Sequence, residues 1–196
     1  MEKIAVIGAG QMGNGIAQVA ASAGYEVLMI DIKEEYVDRG MATIQKSLSK
    51  LVSKERISQS DADDTLARIS TTTDRAECAD VDLVVEAVPE ILDLKTSIFS
   101  ELDEICKPEC ILASNTSSIS ISTIANATNR PEKVIGMHFM NPVPIMKLVE
   151  IINGDQTSEA TNSSVVEAAE KMGKIALSCN DSPGFVSNRI LCPMLN

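Results

Sequence analysis

Residues 3–31 read KIAVIGAGQMGNGIAQVAASAGYEVLMID: an apolar segment, three spaced glycines, an alanine-rich stretch, a second apolar segment and a terminal acid. Ile4 to Ile7 are short, apolar and β-branched, which suits a strand buried on both faces of a parallel sheet. Gly8, Gly10 and Gly13 follow at G-x-G-x-x-G spacing. In that pattern the first glycine permits a tight turn, the second lets backbone approach a pyrophosphate, and the third lets helix pack on strand. Gln11 and Met12 stand between them, at the opening of the helix. A helix starting there offers unpaired N–H groups and about half a positive charge, enough to attract phosphate without a lysine. Ala17, Ala20, Ala21 and Ala23 favour helix, and Gly24 can cap it.

The second strand, Val27 to Ile30, delivers Asp31, which lies 18 residues beyond Gly13. A carboxylate at about that distance binds the ribose 2′-hydroxyl of a dinucleotide and repels a 2′-phosphate, so NAD is expected over NADP. Lys33, two residues on, works against that preference. The context of strand, turn, helix, strand and acid favours a dinucleotide site; FAD, another nucleotide and a purely structural turn are the other readings of the glycines. The expected fold is α/β, a Rossmann-type doubly wound and mostly parallel sheet with helices on both faces.

Composition narrows the function classes. The 196 residues are 44% hydrophobic with no tryptophan, so the core is built from aliphatic residues, as α/β interiors are. Lysine and arginine total 17 against 28 acids, a formal charge of −11. Long-range repulsion then disfavours nucleic acid and anionic membranes, and any anionic ligand needs a local basic site. The cysteines at 78, 106, 110, 179 and 192 are odd in number and scattered, fitting neither a disulfide framework nor a zinc pattern. No signal-peptide pattern precedes the first strand and no apolar run approaches a membrane span. A cytoplasmic, metal-free protein is expected.

Glu34 to about Ser53 is helix-compatible, with Val37, Met41, Ile44, Leu48 and Leu51 at three- and four-residue steps. Lys46, Lys50 and Lys54 form a stripe on its other face. A solvated face is the bland explanation; a dock for a phosphate-rich substrate is the sharp one. Ser58 to Asp64 has S-x-x-D helix-start spacing and is expected to open one short turn. Further strands are expected at 68–71, 81–88, 110–113, 134–139, 147–152 and 174–178, and helices at 91–105, from about 119, and at 158–172. Glu86, Glu90 and Lys95 fall where a parallel sheet places ligands, though helix-start acids and local ion pairs explain them equally well.

Ser114 to Ser118 are five small polar residues after a buried strand, able to meet a ligand oxygen or to cap a helix. His138 is the chain's only histidine, and Asn141-Pro142-Val143-Pro144 turns the chain back towards a strand bearing Glu150. Two adjacent strands can set His138 against Glu150, a general base with a carboxylate that fixes its tautomer. Residues 180–184 have linker composition, and an amphipathic segment follows.

GAGQMG with Asp31, VVEAVPE at 84–90, SNTSS at 114–118, GMHFMNPVPIMKLVEII at 136–152 and DSPGFVSNRIL at 181–191 together resemble the L-3-hydroxyacyl-CoA dehydrogenases, and among them the bacterial 3-hydroxybutyryl-CoA dehydrogenases. The resemblance implies hydride exchange between C3 of a 3-hydroxyacyl-CoA and NAD. It implies His138 as acid and base, Glu150 as its orienting carboxylate, and Ser117 and Asn188 as holders of the C3 oxygen. Asn141, with Ser117, is implied beside nicotinamide and substrate, Glu90 and Lys95 as cofactor contacts, and Ser47 and Lys54 on the CoA side, to which the stripe adds Lys50.

Family members continue into an all-helical, dimer-forming domain. Residues 1–181 are therefore expected to be the NAD-binding domain, and 182–196 a linker and first segment of the next, with Phe185, Ile190 and Leu191 left exposed. Met140, where a second aromatic is expected, and Ser187, usually apolar, depart from the pattern. A β-hydroxyacid dehydrogenase without CoA and an NAD-binding chain without turnover are the competing readings.

Overall fold

Alternation along the strands sets the layers. In β1 (Lys3–Ile7), Ile4 and Val6 point to one face and Ala5 and Ile7 to the other; in β2 (Glu26–Ile30), Val27 and Met29 oppose Leu28 and Ile30. With both faces apolar, each strand is buried only if helices cover both sides. The computed structural model, which describes residues 1–195, has that arrangement. One face is covered by α1 (Gln11–Ser22), α2 (Glu34–Ser53), α3 (Gln59–Ala67) and α6 (Glu159–Lys171). The other carries α4 (Leu92–Ile105) and α5 (Ile121–Ala125), with Phe99, Leu102 and Ile124 fully buried.

The remaining strands are β3 (Ile69–Thr72), β4 (Leu83–Glu86), β5 (Ile111–Ser114), β6 (Val134–Phe139), β7 (Leu148–Asn153) and β8 (Ile175–Asn180). They form one sheet in the order β3-β2-β1-β4-β5-β6-β7-β8. All pairings are parallel except β6 with β7. Strand order reverses between β1 and β4, and in such sheets ligands bind beyond the strand ends at that point.

The antiparallel pairing brings His138 directly opposite Glu150. It comes from the turn at 141–147, too short for the crossover that a parallel pair requires. A closing helix, α7 (Ser187–Leu195), follows β8.

Several expected boundaries moved. The polar cluster after α2 opens nine helical residues rather than one turn, because Ser58 and Asp61 form a reciprocal capping box and Ala62 and Thr65 are buried. The expected strand at 81–88 shortens to β4: residues 75–80 form a 3-10 turn before it, and the Val88 N–H turns to the Glu86 side chain. Phe185, expected to be exposed, is 3% exposed. The turn at Ser182 to Phe185, closed by Phe185 N–H donating to Ser182 O, swings its ring into the α4/α5 layer. Ile190 and Leu191 are exposed as expected.

Candidate active site

The glycine turn opens at the end of β1. Gly8 has φ +102°, and a Cβ there would stand 2.7 Å from the Ala87 carbonyl oxygen, so both conformation and space demand glycine. Helix α1 lies so close to the turn that a Cβ on Gly13 would fall 1.6 Å from Gly8 O. A Cβ on Gly10 would meet nothing within 4 Å, so the N-terminus of α1 faces open space. Met12 packs against the core beneath it. Asp31, at the end of β2, accepts from the Ala9 N–H at 2.8 Å and from the Ile32 N–H at 2.7 Å. A carboxylate has about four acceptor positions, so Asp31 keeps capacity for a diol. The open helix end, the bare glycine edge and the acid fit an adenosine diphosphate moiety.

At the other end of the cleft, His138 Nδ1 lies 2.8 Å from Glu150 Oε2 and Nε2 lies 3.0 Å from Ser117 Oγ. The second oxygen of Glu150 accepts from the backbone N–H groups of Val186, at 3.1 Å, and Ser187, at 2.8 Å. Burial alone raises the Glu150 carboxyl, but the bonds from His138 and the Ser187 N–H outweigh it and hold the group below the ordinary carboxylate range. An ionised carboxylate only accepts, so Nδ1 carries a hydrogen, and in the neutral ring Nε2 presents a lone pair to which the Ser117 hydroxyl donates. The ring of Phe185 meets the imidazole edge-on, with centroids 5.8 Å apart. Asn188 donates to the Ser117 carbonyl at 3.1 Å, tying α7 to the serine loop.

That loop hangs on Glu90. Its Oε1 accepts from Thr116 Oγ1 and the Ser117 and Ser118 N–H groups at 2.5, 2.9 and 3.1 Å. Burial opposes ionisation of Glu90, and these donors with nearby Lys95 overcome it, so its carboxyl also sits below its usual range. Lys95, expected to reach the cofactor, is 1% exposed, its ammonium bonded to Glu86 at 2.7 Å and to Val88 O at 3.1 Å. Glu86, expected at the ligand edge, is fully buried and also takes the Ser114 hydroxyl. Both groups are turned into the sheet where β4, β5 and α4 converge, and Glu86 there joins Lys95 to Ser114 at the base of the serine loop.

A cavity of about 470 Å³ opens between α1, α2 and the 141–145 turn. Ser47, Lys50 and Lys54 line it, together with Lys46, Gln11 and Asn141. The Gln11 amide donates to Asn141 Oδ1 at 3.2 Å, linking the helix opening to the turn after His138. Among the described residues, none of the three stripe lysines pairs with a carboxylate.

Sequence reasoning misses the Val186 and Ser187 amides that cap Glu150, and Asn115, whose side chain accepts the Phe139 N–H at 2.9 Å. Backbone donors leave no residue signature, and Asn115 reads in the sequence only as part of a polar loop.

Among the described residues there is no cluster able to hold a metal and no helix long and apolar enough to cross a membrane. A dinucleotide edge joined to an imidazole with its own carboxylate defines a nicotinamide-dependent dehydrogenase.

Comparison with known proteins agrees. Residues 3–182 match the family model described as 3-hydroxyacyl-CoA dehydrogenase, NAD binding domain, and the chain belongs to that family. It is 59% identical over 195 residues to a probable 3-hydroxybutyryl-CoA dehydrogenase of Deinococcus radiodurans, covering 99% of this chain and 69% of that one. A 3-hydroxybutyryl-CoA dehydrogenase of Clostridioides difficile is 46% identical, with 99% and 69% covered. The crystal structure of (S)-3-hydroxybutyryl-CoA dehydrogenase from Ralstonia eutropha superposes with a TM-score of 0.98 at 46% identity, over all of this chain and 69% of that one.

Proposed function

We propose that this chain interconverts (S)-3-hydroxyacyl-CoA, in particular short-chain 3-hydroxybutyryl-CoA, and the 3-oxoacyl-CoA, with NAD as its cofactor. The observation that carries the reading is His138 held at 2.8 Å by Glu150, with Nε2 turned to Ser117 on the ligand side of the sheet. An alcohol gives up hydride only if its O–H proton leaves as well, and a positioned base contributes about 10²–10⁴-fold to such a step. In oxidation Nε2 takes that proton; in reduction the imidazolium returns it. Glu150, kept ionised, stabilises the charged ring and fixes its tautomer. The Ser117 hydroxyl and the second N–H of the Asn188 amide stabilise negative charge on the C3 oxygen. Bound NAD supplies the hydride acceptor or donor.

Gly8, Gly10, Gly13 and Asp31 hold its adenosine end, and Gln11 and Asn141 line the way to the nicotinamide. Ser47, Lys50 and Lys54 bind the CoA phosphates, a role supported by their place in one cavity with Asn141 and by unpaired charge on a chain of −11. Residues 1–181 are the cofactor domain, and those from 182 onward form a linker and a helical segment outside it, a division supported by the extent of the matched NAD-binding family model.

The test is NADH titration of this chain beside acetoacetyl-CoA reduction. Binding with turnover supports the reading. Binding with no turnover leaves an NAD-binding chain and refutes catalysis by it.

A further inference from the structure

Among the described residues, Lys174 is the one buried cation outside the Glu86/Lys95 network that the reaction does not use. It follows α6 and the Gly173 turn, is 9% exposed, and forms no ion pair among the described residues. Its ammonium instead donates to two backbone carbonyls, Val143 O at 2.5 Å and Met146 O at 2.9 Å. Burial lowers its affinity for the proton relative to an ordinary lysine. A charge removed from water without a carboxylate is costly, and it is tolerated where it satisfies groups that have no other donor.

Those two carbonyls belong to the turn between β6 and β7. The same turn carries Asn141, which bonds Gln11, and supplies Pro142, Pro144 and Ile145 to the 470 Å³ cavity. Its own hydrogen bonds are few: the Ile145 and Met146 N–H groups both reach Pro142 O. Its other tight contact is Val143 against α1, where a Cβ on Gly15 would stand 2.8 Å from Val143 Cβ. From the sheet side the Ile175 N–H donates to Lys147 O, so the residue after Lys174 is tied to the end of the same turn.

We infer that Lys174 is a positioning residue of the substrate cleft: its buried ammonium clamps the 143–146 backbone to the end of α6 and so sets the wall that faces the stripe lysines. This rests on the acyl-CoA reading of that cavity. Removing the clamp frees the turn, widens the cleft and lets Asn141 drift from Gln11, while β1, β2 and Asp31 stand on separate elements and stay in place.

The experiment compares Lys174→Met and Lys174→Arg in the full chain by amide hydrogen exchange and by kinetics. Lys174→Met is expected to speed exchange in residues 141–147 by about tenfold or more, with the β1, β4 and β5 segments unchanged. The acetoacetyl-CoA KM should rise by about tenfold, with the NADH dissociation constant within about threefold of the parent. Lys174→Arg, which keeps charge and donors, should restore both to within about threefold. If Lys174→Met does not fold, Lys174→Gln, uncharged and one atom shorter than lysine, is read in its place and should show the same pattern.

Unchanged exchange at 141–147, or equal loosening by arginine and methionine, overturns the clamp. The exchange result stands whether or not the parent chain turns over substrate, so failure of the clamp and failure of the acyl-CoA reading give different outcomes.

Discussion

Glu150→Gln replaces one carboxylate oxygen with an amide NH₂ at almost no change in volume, and the hydrogen bonds around the group dictate the outcome. In the parent, Oε2 accepts from His138 Nδ1 and Oε1 accepts from the Val186 and Ser187 N–H groups. An amide has only one accepting end. With its oxygen kept on the two backbone donors, its NH₂ faces Nδ1, which must then give up its hydrogen. The proton moves to Nε2, and the ring can no longer take one from substrate. Flipping the amide instead sets NH₂ against two N–H groups, leaving buried donors unsatisfied at about 1–3 kcal/mol.

The first arrangement therefore wins, and kcat should fall by about 10²–10⁴-fold, or about 3–5 kcal/mol at 1.36 kcal/mol per decade. Misassigned tautomers in hydrolase triads cost about 10⁴. Stability should drop by only about 1–3 kcal/mol, or about 2–12 °C in the thermal midpoint of a chain of this size. Acetoacetyl-CoA reduction followed by NADH absorbance measures the rate. Because His138 is the chain's only histidine, the nitrogen NMR spectrum of labelled protein reports its tautomer without assignment. The parent should carry its hydrogen on Nδ1 and the variant on Nε2. A variant that keeps the Nδ1 tautomer and loses less than about threefold in kcat would exclude Glu150 as the group that sets the tautomer.

Three further outcomes are expected. Asp31→Ala should weaken NADH by about 10–100-fold through loss of charged hydrogen bonds to the ribose, and NADPH far less; equal losses would contradict the assignment. Neutralising Lys46, Lys50 and Lys54 together should raise the acyl-CoA KM by about tenfold at low salt, with the effect shrinking as salt rises; an unchanged KM would favour a small hydroxy acid as substrate. For acid stability, burial pushes Glu90, Asp103, Glu150 and Asp181 upward but their hydrogen bonds prevail and hold all four below the ordinary range, while Asp82 is held at about 2 by the Glu2 and Lys3 N–H groups and Lys107. These carboxyls bind protons more weakly folded than unfolded, so their stabilisation is complete above the unfolded range and lost as pH falls. The thermal midpoint should fall steadily from about pH 5 towards pH 2, and a flat profile would contradict this.

How legible the site is in the sequence depends on the range of its interactions. The β1 turn, α1 and Asp31 are local, and their spacing carries the geometry. His138 and Glu150 are readable as a pair because a short proline-rich turn forces neighbouring antiparallel strands, and the register then sets them opposite each other. What stays hidden depends on distant segments. Lys95 and Glu86 read as charges at the ligand edge of the sheet until β4, β5 and α4 close over them. Lys174 looks like the polar start of an edge strand, because its acceptors are carbonyls about thirty residues away. Phe185 reads as exposed for want of partners, yet its ring is buried in the α4/α5 layer and meets the imidazole edge-on. Ser187 departs from the apolar residue expected there, and the group that holds Glu150 is its backbone N–H, which any residue but proline provides.

His138→Gln puts the proton transfer to the most direct trial. The substitution leaves the glycine turn and Asp31 untouched, so NADH should bind as in the parent while acetoacetyl-CoA reduction falls by at least about two decades. Undiminished reduction by this variant would contradict the assignment of the imidazole as the group that moves the proton.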